Sequence, residues 1–339
     1  MQEKSSPRPK ILILSTAYLP QIGGSELAIK NITDRITDFD FDLITSRLDK
    51  KSLKHEVVGN VSVFRVGGFL SLARGLLPKN FLPLSIFLKA RSLTKIRNYK
   101  LVHAFQFSEA AGAGWLLKYF YPQLPLVVTM QEGKDLDKQG VLINFFRKLI
   151  IKKTDQATVI SSYLKKYLLK VDPDLPTELI PNGVDFELFS KDFSYGDMAG
   201  LEEKLGIKVD DKVIISSSRL VSKNGVDLLI DAFDILNSKF KVTNFKLLLI
   251  GEGSLLKNLK FKVSNLKLED KVIFAGEVNN LDLPLYLKIA DVFVRPSRSE
   301  GLGISFLEAM ACGVPIIATK VGGIPDFLED RKTGLFCTL

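Results

Sequence analysis

The sequence is poor in cysteine and histidine, with two of each among 339 residues. Cys312 and Cys337 lack the spacing of metal ligands, so neither a structural zinc site nor a disulfide framework is expected. No apolar run approaches the roughly 18 residues that a transmembrane helix needs. The polar start MQEKSSPRPK also lacks the apolar core of a signal peptide. These absences predict a cytoplasmic protein without a metal centre.

The net charge of +9 is concentrated in one window of the chain. Residues 51–100 hold ten Lys or Arg and one acid, Glu56, and they account for the whole excess. The window includes GFLSLARGLLPKNFLPLSIFLKARSL, where Phe and Leu alternate with basic residues. This pattern is typical of a surface that contacts an anionic membrane, but an ordinary solvated helix face would show it too. Nucleic acid is not expected as a partner, because no nucleic-acid motif accompanies the charge.

Short apolar runs alternate with helical stretches through both halves of the chain. Residues 11–14 precede a loop with Gly23-Gly24 and a helical pattern, and residues 213–216 open a similar unit. Continuous apolar strands between helices predict parallel sheets that are covered on both faces. We expect two Rossmann-like, doubly wound α/β domains, 1–190 and 191–339, with ligands in the cleft between them. The last residues, TGLFCTL, form a strand with no helix after it, so the second domain is expected to be incomplete.

The segment SEGLGISFLEAMACGVP combines a glycine loop with a short helix over residues 304–312. The helix is apolar nearly all round, which is typical of a buried helix, and Glu308 is its only charge. A buried carboxylate needs hydrogen-bond donors, and these could come from a polyhydroxyl ligand or from the protein itself. The loop aims the N–H groups of the helix start at the edge where ligands bind, an arrangement suited to phosphate.

Glu300 and Glu308, separated by seven residues, resemble the E-x7-E signature of the retaining glycosyltransferases of family 4. Other segments resemble this family in its own order across nearly the whole chain: ILSTAYLPQIGGSE, LIPNGVD, SRLVSKNGVDLLIDAF, LLLIGEGSLL, FAGEV and ADVFVRPS. Singly these pieces are unspecific, whereas the glutamate block together with PNGVD and the SRL segment, in order, is highly specific. The resemblance implies the GT-B fold, in which two Rossmann-like domains face each other across a cleft.

The resemblance also implies roles on the donor side. Glu308 would accept hydrogen bonds from the ribose hydroxyls of a nucleotide, and Glu300 would bind the transferred sugar. Arg219 and Lys223 would hold the diphosphate and stabilise the leaving group. Neither a metal ion nor a cofactor would then be needed besides the co-substrate, a UDP- or GDP-sugar. The other donor contacts that the resemblance implies are Gly23, Gly24, Val278, Gly303 and Ile304.

Some of these residues have simpler explanations. Arg219 could pair with a carboxylate such as Asp227, and Gly23-Gly24 could be an ordinary turn. The family usually places its lysine directly before the glycine, where this chain has Asn224. A role for Lys223 therefore requires a shift of one residue in the loop.

The N-terminal half departs further from the family. In LVHAFQFSEAAGAG the family has two histidines one residue apart, whereas this chain has His103 and then Phe105. In LVVTMQEGKD a further family histidine is replaced by Gln131. The acceptor-side candidates are therefore Glu132, Gln131 and His103, with Asp135 in the same loop; the alternative for His103 is a structural histidine at a strand end.

The sequence thus predicts a metal-independent, retaining glycosyltransferase that moves a sugar from a nucleoside-diphosphate sugar to a hydroxyl group. The basic window favours a glycan or lipid-linked acceptor at the inner face of the membrane, in polysaccharide or glycolipid synthesis. A nucleotide-sugar epimerase on the same fold would need acid–base groups, and the scarcity of histidine argues against it. An inactive GT-B scaffold is favoured by the missing histidines and the abrupt end, whereas the presence of both glutamates argues against it.

Overall fold

A computed structural model describes residues 8–21, 23–48, 51–67, 81–133, 136, 139–240 and 244–338. The chain forms two compact units, one of residues 1–132 with 136–181 and one of residues 133–135 with 182–339. The division after Pro181 falls earlier than the predicted one after residue 190. The reason is that Phe189 lies in the hydrophobic core of the second unit.

The first unit alternates strands and helices. Its strands are β1 (Lys10–Leu14), β2 (Asp40–Ser46), β3 (His55–Val58), β4 (Val61–Val66), β5 (Tyr99–Phe105), β6 (Leu126–Met130), β7 (Gln156–Val159) and β8 (Thr177–Leu179). Its helices are α1 (Gly24–Arg35), α2 (Leu82–Thr94), α3 (Glu109–Phe120), α4 (Val141–Ile151) and α5 (Ser162–Val171).

The second unit repeats this plan. Its helices are α6 (Phe186–Ser190), α7 (Tyr195–Leu205), α8 (Val226–Phe240), α9 (Leu256–Asn265), α10 (Leu283–Lys288) and α11 (Ile304–Ala311). Its strands are β9 (Lys212–Ser217), β10 (Phe245–Ile250), β11 (Val272–Gly276), β12 (Val292–Arg295), β13 (Ile316–Thr319) and β14 (Leu335–Cys337).

Each unit contains one sheet whose strand order reverses near its middle. The first sheet runs β3-β4-β2-β1-β5-β6-β7-β8, and the second runs β11-β10-β9-β12-β13-β14. All strand pairs within these sheets are parallel except β3 with β4. The order reverses beside β1 in the first sheet and beside β9 in the second. Ligands of open α/β sheets bind at such points, outside the carboxyl ends of the strands.

The second sheet is buried on both faces, as its apolar strands predict. In β9, Val213 and Ile215 belong to one core cluster, together with Phe293 of β12. Ile214, between them, belongs to the cluster on the opposite face, together with Phe233 of α8. Alternation of this kind places hydrophobic side chains on both sides of a strand, which is why its sequence shows no polar face.

Two edge strands were not predicted from the sequence. The strand β3 is antiparallel and mostly exposed, and its sequence HEVV is too short and too polar to stand out. The three-residue strand β8 lies next to the segment resembling the family's interdomain region. The doubly wound α/β fold is otherwise as expected, including β14 near the end of the described residues.

The basic window of residues 51–100 is not a single charged surface. Arg65 is buried, forms an ion pair with Glu56 and donates a hydrogen bond to the carbonyl of Leu53. Arg97 pairs with the buried carboxylate of Asp42. Part of the apolar stretch, residues 68–80, lies outside the described residues. Two of the ten basic residues therefore stabilise the fold, and membrane contact by the others stays a prediction.

Asp42 provides a test of this internal pairing. Its carboxylate accepts a hydrogen bond from Tyr99 Oη at 2.5 Å, in addition to the pair with Arg97. Asp42→Ala leaves the buried hydroxyl of Tyr99 without its acceptor and the partly exposed Arg97 without its carboxylate. It is therefore expected to lower the free energy of unfolding by about 1–3 kcal/mol. Asp40→Ala removes only the exposed pair with Lys10, at 3.0 Å, and should cost less than about 1 kcal/mol. Equal losses in urea denaturation of the two variants would contradict this.

Candidate functional site

The start of α11 requires glycine. Gly303, immediately before the helix, has φ of +97°, in the region that L side chains rarely adopt. A Cβ atom at this position would lie 2.7 Å from the ring of Phe306. The glycine therefore allows the tight entry by which the first turn, from Ile304, follows the loop after β12. This agrees with the predicted glycine loop and helix start.

Arg295, the last residue of β12, is the buried centre of the site. Its guanidinium donates to Ser217 O at 3.4 Å, Ser305 Oγ at 2.5 Å and Glu300 Oε2 at 2.7 Å. It also lies over the ring of Phe306, 4.4 Å from the centroid. Burial lowers the pKa of Arg295, and the nearby carboxylates oppose that shift. Arg295 therefore ties the end of β9, the loop after β12 and the start of α11 together.

Glu300 is held by two cations. Besides its bond to Arg295, its Oε1 lies 3.6 Å from Nζ of Lys223 and accepts from the N–H of Gly301 at 3.1 Å. The backbone of Glu300 is packed so closely that a Cβ atom on Gly322 would lie 1.8 Å from its carbonyl oxygen. Glu300 is thus fixed at the carboxyl edge of the second sheet, in the loop where it was predicted to lie.

Glu308 differs from Glu300 in having a charge nearby but no bond to it. Its side chain is 8% exposed, and its carboxylate takes part in none of the hydrogen bonds or ion pairs found among the described residues. Burial raises the pKa of Glu308 to about 7, and the positive charge of Arg295 only partly opposes this. The sequence allowed hydrogen-bond donors either from a ligand or from the protein itself. The described residues supply no donor to the carboxylate of Glu308. The carboxylate is therefore available to hydroxyl groups of a ligand.

Lys223 reaches the site despite its shifted position. It lies in a single 3₁₀ turn, Ser222–Asn224, before α8. Asn224 is buried and donates through Nδ2 to the carbonyl of Arg219 at 2.7 Å, which fixes the loop. Burial lowers the pKa of Lys223, and Glu300 opposes this shift. Asn224 thus takes a structural role while Lys223 extends beside Glu300.

Arg219 does not pair with Asp227. The carboxylate of Asp227 is bound at both oxygens by Arg298, at 2.8 and 2.7 Å. The side chain of Arg219 is exposed, and no ion pair of Arg219 occurs among the described residues. The simpler explanation considered for Arg219 is therefore wrong, and the residue is free to meet an anion.

The remaining donor-side candidates have no contact that tests their roles. Val278 is partly buried and packs against the second unit's core. Gly23 precedes α1 with an extended backbone, φ −154°, and Gly24 is the first residue of that helix. Because any residue adopts such a φ, an ordinary turn does not require glycine at position 23. All three stay predictions as donor contacts.

In the first unit, Glu132 is a buried carboxylate at the carboxyl end of β6. Its Oε1 accepts from the N–H of Phe107 at 2.6 Å, whereas its buried Oε2 has no hydrogen-bond partner among the described residues. Burial raises the pKa of Glu132, and the charge of Arg147 opposes that rise. Gln131 beside it is partly buried. Asp135 lies outside the described residues.

His103 is bonded within the sheet of the first unit. Its Nε2 lies 2.6 Å from Thr129 Oγ1, which in turn lies 2.6 Å from Thr158 Oγ1. Its ring also packs on Phe105, with centroids 4.4 Å apart. Burial lowers the pKa of His103 to about 4, so the ring is neutral at pH 7. These contacts favour the structural interpretation of His103 over a role at the acceptor.

The sequence did not identify Arg295 or Arg298 as site residues. The sequence does contain an indication for Arg295, because this charged residue ends the otherwise apolar strand VFVR. Its partners, however, come from three separate segments, and only the fold brings them together. Arg298 binds both carboxylate oxygens of Asp227, and Arg219 therefore has no ion pair among the described residues. No local sequence pattern predicts this choice of partner.

Two family models match consecutive parts of the chain. The model described as Glycosyltransferase Family 4 matches residues 22–188, and the model described as Glycosyl transferases group 1 matches residues 198–338. Together they cover most of the sequence, in the order that the sequence segments indicated.

Individual proteins show the same similarity. The N-acetyl-alpha-D-glucosaminyl L-malate synthase of Bacillus anthracis is 27% identical over 97% of this chain and 84% of its own length. A GDP-mannose-dependent phosphatidylinositol monomannoside mannosyltransferase of Mycolicibacterium smegmatis is 35% identical over 53% of this chain and 48% of its own length. The Anabaena protein Alr3699/HepE, solved in complex with UDP-glucose, superposes with a TM-score of 0.78 and 23% identity, over 97% of this chain and 85% of its own.

The raised pKa of Glu308 predicts a pH dependence of stability. The folded protein binds this proton more tightly than the unfolded chain does, so the carboxylate destabilises the fold increasingly as pH rises from about 4.5 to about 7. Glu308→Gln removes the charge, and its stability relative to the wild type should rise by about 3 kcal/mol across that window. Urea denaturation between pH 5 and 8 measures the difference.

The control is Glu329→Gln, at an exposed glutamate paired with Lys332. Its stability relative to the wild type should stay nearly constant over the same range. A constant difference for Glu308→Gln as well would show that the buried carboxylate is solvated or bonded in a way that the structure does not contain.

Proposed function

Because the chain belongs to the group 1 glycosyltransferases and has their GT-B fold, we propose that it transfers a sugar from a nucleoside-diphosphate sugar to an acceptor hydroxyl. The reaction is proposed to retain the anomeric configuration and to need no metal ion. The observation that carries the proposal is Glu308, a buried carboxylate that lies in the field of the buried Arg295 and has no hydrogen-bond donor within the described part of the chain. A ribose diol supplies two O–H donors, which is the partner that this carboxylate lacks.

The cations around Glu300 support a diphosphate next to that ribose. Lys223 and the exposed Arg219 are proposed to bind phosphate oxygens. The proposal is supported by the position of Lys223 beside Glu300 and by the partial positive charge of the first N–H groups of α11. As the bond from the anomeric carbon to the β-phosphate oxygen breaks, negative charge grows on the leaving diphosphate. Cations that are already in position stabilise that charge without a metal ion.

Glu300 is proposed to position the transferred sugar. It is bound to Arg295 through Oε2, which fixes the orientation of the carboxylate, while Oε1 has only the 3.6 Å approach of Lys223 and the N–H of Gly301. A carboxylate oxygen has room for a further hydroxyl donor. We assign no nucleophile, so retention requires attack from the face that the diphosphate leaves. The departing phosphate oxygen is then the nearest base for the acceptor proton.

Glu132 is proposed as an acceptor-side contact in the first unit. Its buried Oε2 has no hydrogen-bond partner among the described residues, and we propose that the acceptor hydroxyl donates to it; burial strengthens such a bond. The acceptor is proposed to be a glycan or a lipid-linked hydroxyl. The similarity to a mannosyltransferase that acts on a phosphatidylinositol mannoside supports the lipid-linked class. The donor is proposed to be a UDP- or GDP-sugar, which the UDP-glucose complex of the Anabaena protein and the GDP-mannose dependence of the mannosyltransferase support.

Calorimetric titration with UDP, GDP and ADP tests the donor site. We expect one of them to bind, and we expect Glu308→Gln to weaken that binding about tenfold or more, because hydrogen bonds to a charged acceptor are the strong ones. Binding should be the same with and without EDTA. Glu329→Gln serves as the matched control and should bind like the wild type.

Unchanged affinity of Glu308→Gln would remove the ribose role, and loss of binding in EDTA would contradict the metal-independent mechanism. Hydrolysis of the bound sugar nucleotide without acceptor then separates a working transferase from a scaffold that only binds nucleotide. A transferase produces free sugar at a slow rate, whereas a scaffold produces none.

A further inference from the structure

Helix α4 has its polarity reversed relative to an ordinary surface helix. Arg147 is buried, with 4% exposure, and donates to Asn144 Oδ1 at 2.9 Å and Gln139 Oε1 at 2.5 Å. Large apolar side chains of the same helix face outward. Their exposures are 88% for Val141, 68% for Leu142, 55% for Ile143, 55% for Phe145 and 48% for Phe146.

The buried side of the helix prevents it from rolling over. Arg147 also donates to the hydroxyl of Tyr167 on α5, at 3.3 Å, and Ile150 and Ile151 are packed in the interior. Turning Phe145 and Phe146 inward would expose these isoleucines and remove the partners of a buried guanidinium, which is strongly unfavourable. The exposed apolar half of α4 is therefore a fixed feature of the first unit.

Contiguous exposed hydrophobic groups on a folded protein mark a surface that meets a partner or a membrane. The charges beside this patch distinguish the two. Lys148, Lys152 and Lys153 are exposed at the end of the helix, and residues 139–154 contain no acid. A second copy of this chain would present the same lysines and no acid from this segment to pair with them, so an anionic lipid surface is the better electrostatic match.

Aromatic side chains continue the patch at its basic end. Tyr119 and Phe120, at the end of α3, are 60% and 52% exposed, and Nζ of Lys153 lies 5.6 Å from the ring centroid of Tyr119. Apolar groups flanked by aromatic rings and lysines are the composition that binds in the interface of an anionic bilayer. Among the residues that the structure describes, none of the helices could span a bilayer.

We propose that α4 docks the protein onto an anionic lipid surface, with residues 141–146 entering the acyl boundary and the three lysines at the headgroups. The helix follows β6, so its apolar half begins at the carboxyl edge of the sheet, where Glu132 also lies. A lipid-linked hydroxyl would thereby be presented at that edge. The surface adjoins the basic window of residues 51–100, because Arg91 of that window lies over the ring of Phe120, 4.4 Å from its centroid. Its binding to lipid requires neither donor nor acceptor.

Sedimentation with sucrose-loaded vesicles tests the proposal. The full chain should bind vesicles of phosphatidylcholine with 30% phosphatidylglycerol, about tenfold or more tightly than pure phosphatidylcholine. The double variant Phe145→Ser/Phe146→Ser should lose about tenfold or more of that binding. Lys148→Glu/Lys152→Glu/Lys153→Glu should abolish the preference for the anionic vesicles.

The matched control is Phe240→Ser/Phe261→Ser, which removes two phenylalanines of the second unit that are 68% and 69% exposed. It should bind vesicles like the wild type. All variants should keep the far-UV circular dichroism and the urea-denaturation midpoint of the wild type, which shows that the first unit is folded, and they should keep its affinity for the nucleotide. Failure of nucleotide binding would concern the donor site and leave the vesicle result independent.

Three results would overturn the proposal. The wild type could fail to bind either vesicle, or the α4 variants could bind as well as the wild type, which would shift the contact to another surface such as the basic window. Alternatively, ultracentrifugation without lipid could show a dimer that Phe145→Ser/Phe146→Ser dissociates, which would assign the patch to a second copy of the chain.

Discussion

The second unit depends on one buried guanidinium. Arg295 lies at the point where the strand order of the sheet reverses, and it is satisfied by groups from three segments, represented by Ser217, Ser305 and Glu300. A buried cation of this kind is tolerated only while its partners hold their places, so the end of β9, the loop after β12 and the first turn of α11 are positioned together. The stacking of Arg295 on Phe306 joins this polar cluster to the hydrophobic core.

The same cation gives the two glutamates different properties. Glu300 forms the direct bond and is fixed, whereas Glu308 receives only the field of Arg295 and remains desolvated, with its pKa raised to about 7. In the proposed mechanism the first positions the sugar and the second takes hydrogen bonds from the ribose. Arg295 therefore fixes Glu300 in the loop before α11 and leaves Glu308, within that helix, without a hydrogen-bond donor among the described residues. The unsatisfied carboxylate destabilises the free protein and favours the complex, which is how a binding site stores part of its affinity.

Much of the fold could be predicted, because its strands are apolar on both faces and its glutamate pair sits in a specific pattern. Position 308 could be recognised as buried, since its helix carries no other charge. What could not be predicted depends on contacts distant in sequence: the partners of Arg295, and the pairing of Asp227 with Arg298 instead of Arg219. The sequence VLINFFRKLII would suggest that α4 buries its phenylalanines, but three polar partners hold Arg147 inside and turn them outward. Short polar strands such as β3 likewise depend on a neighbour to form.

The most direct test of this account is the number of protons released when a nucleotide sugar binds at pH 7, measured by calorimetry in buffers of different ionisation enthalpy. A diphosphate ester has no proton of its own to lose near this pH. Glu308 is about half protonated there, and hydrogen bonds donated to its carboxylate lower its pKa. We predict the release of about half a proton per ligand bound, and no such release in Glu308→Gln. Binding without proton release in the wild type, or equal release in the variant, would contradict it.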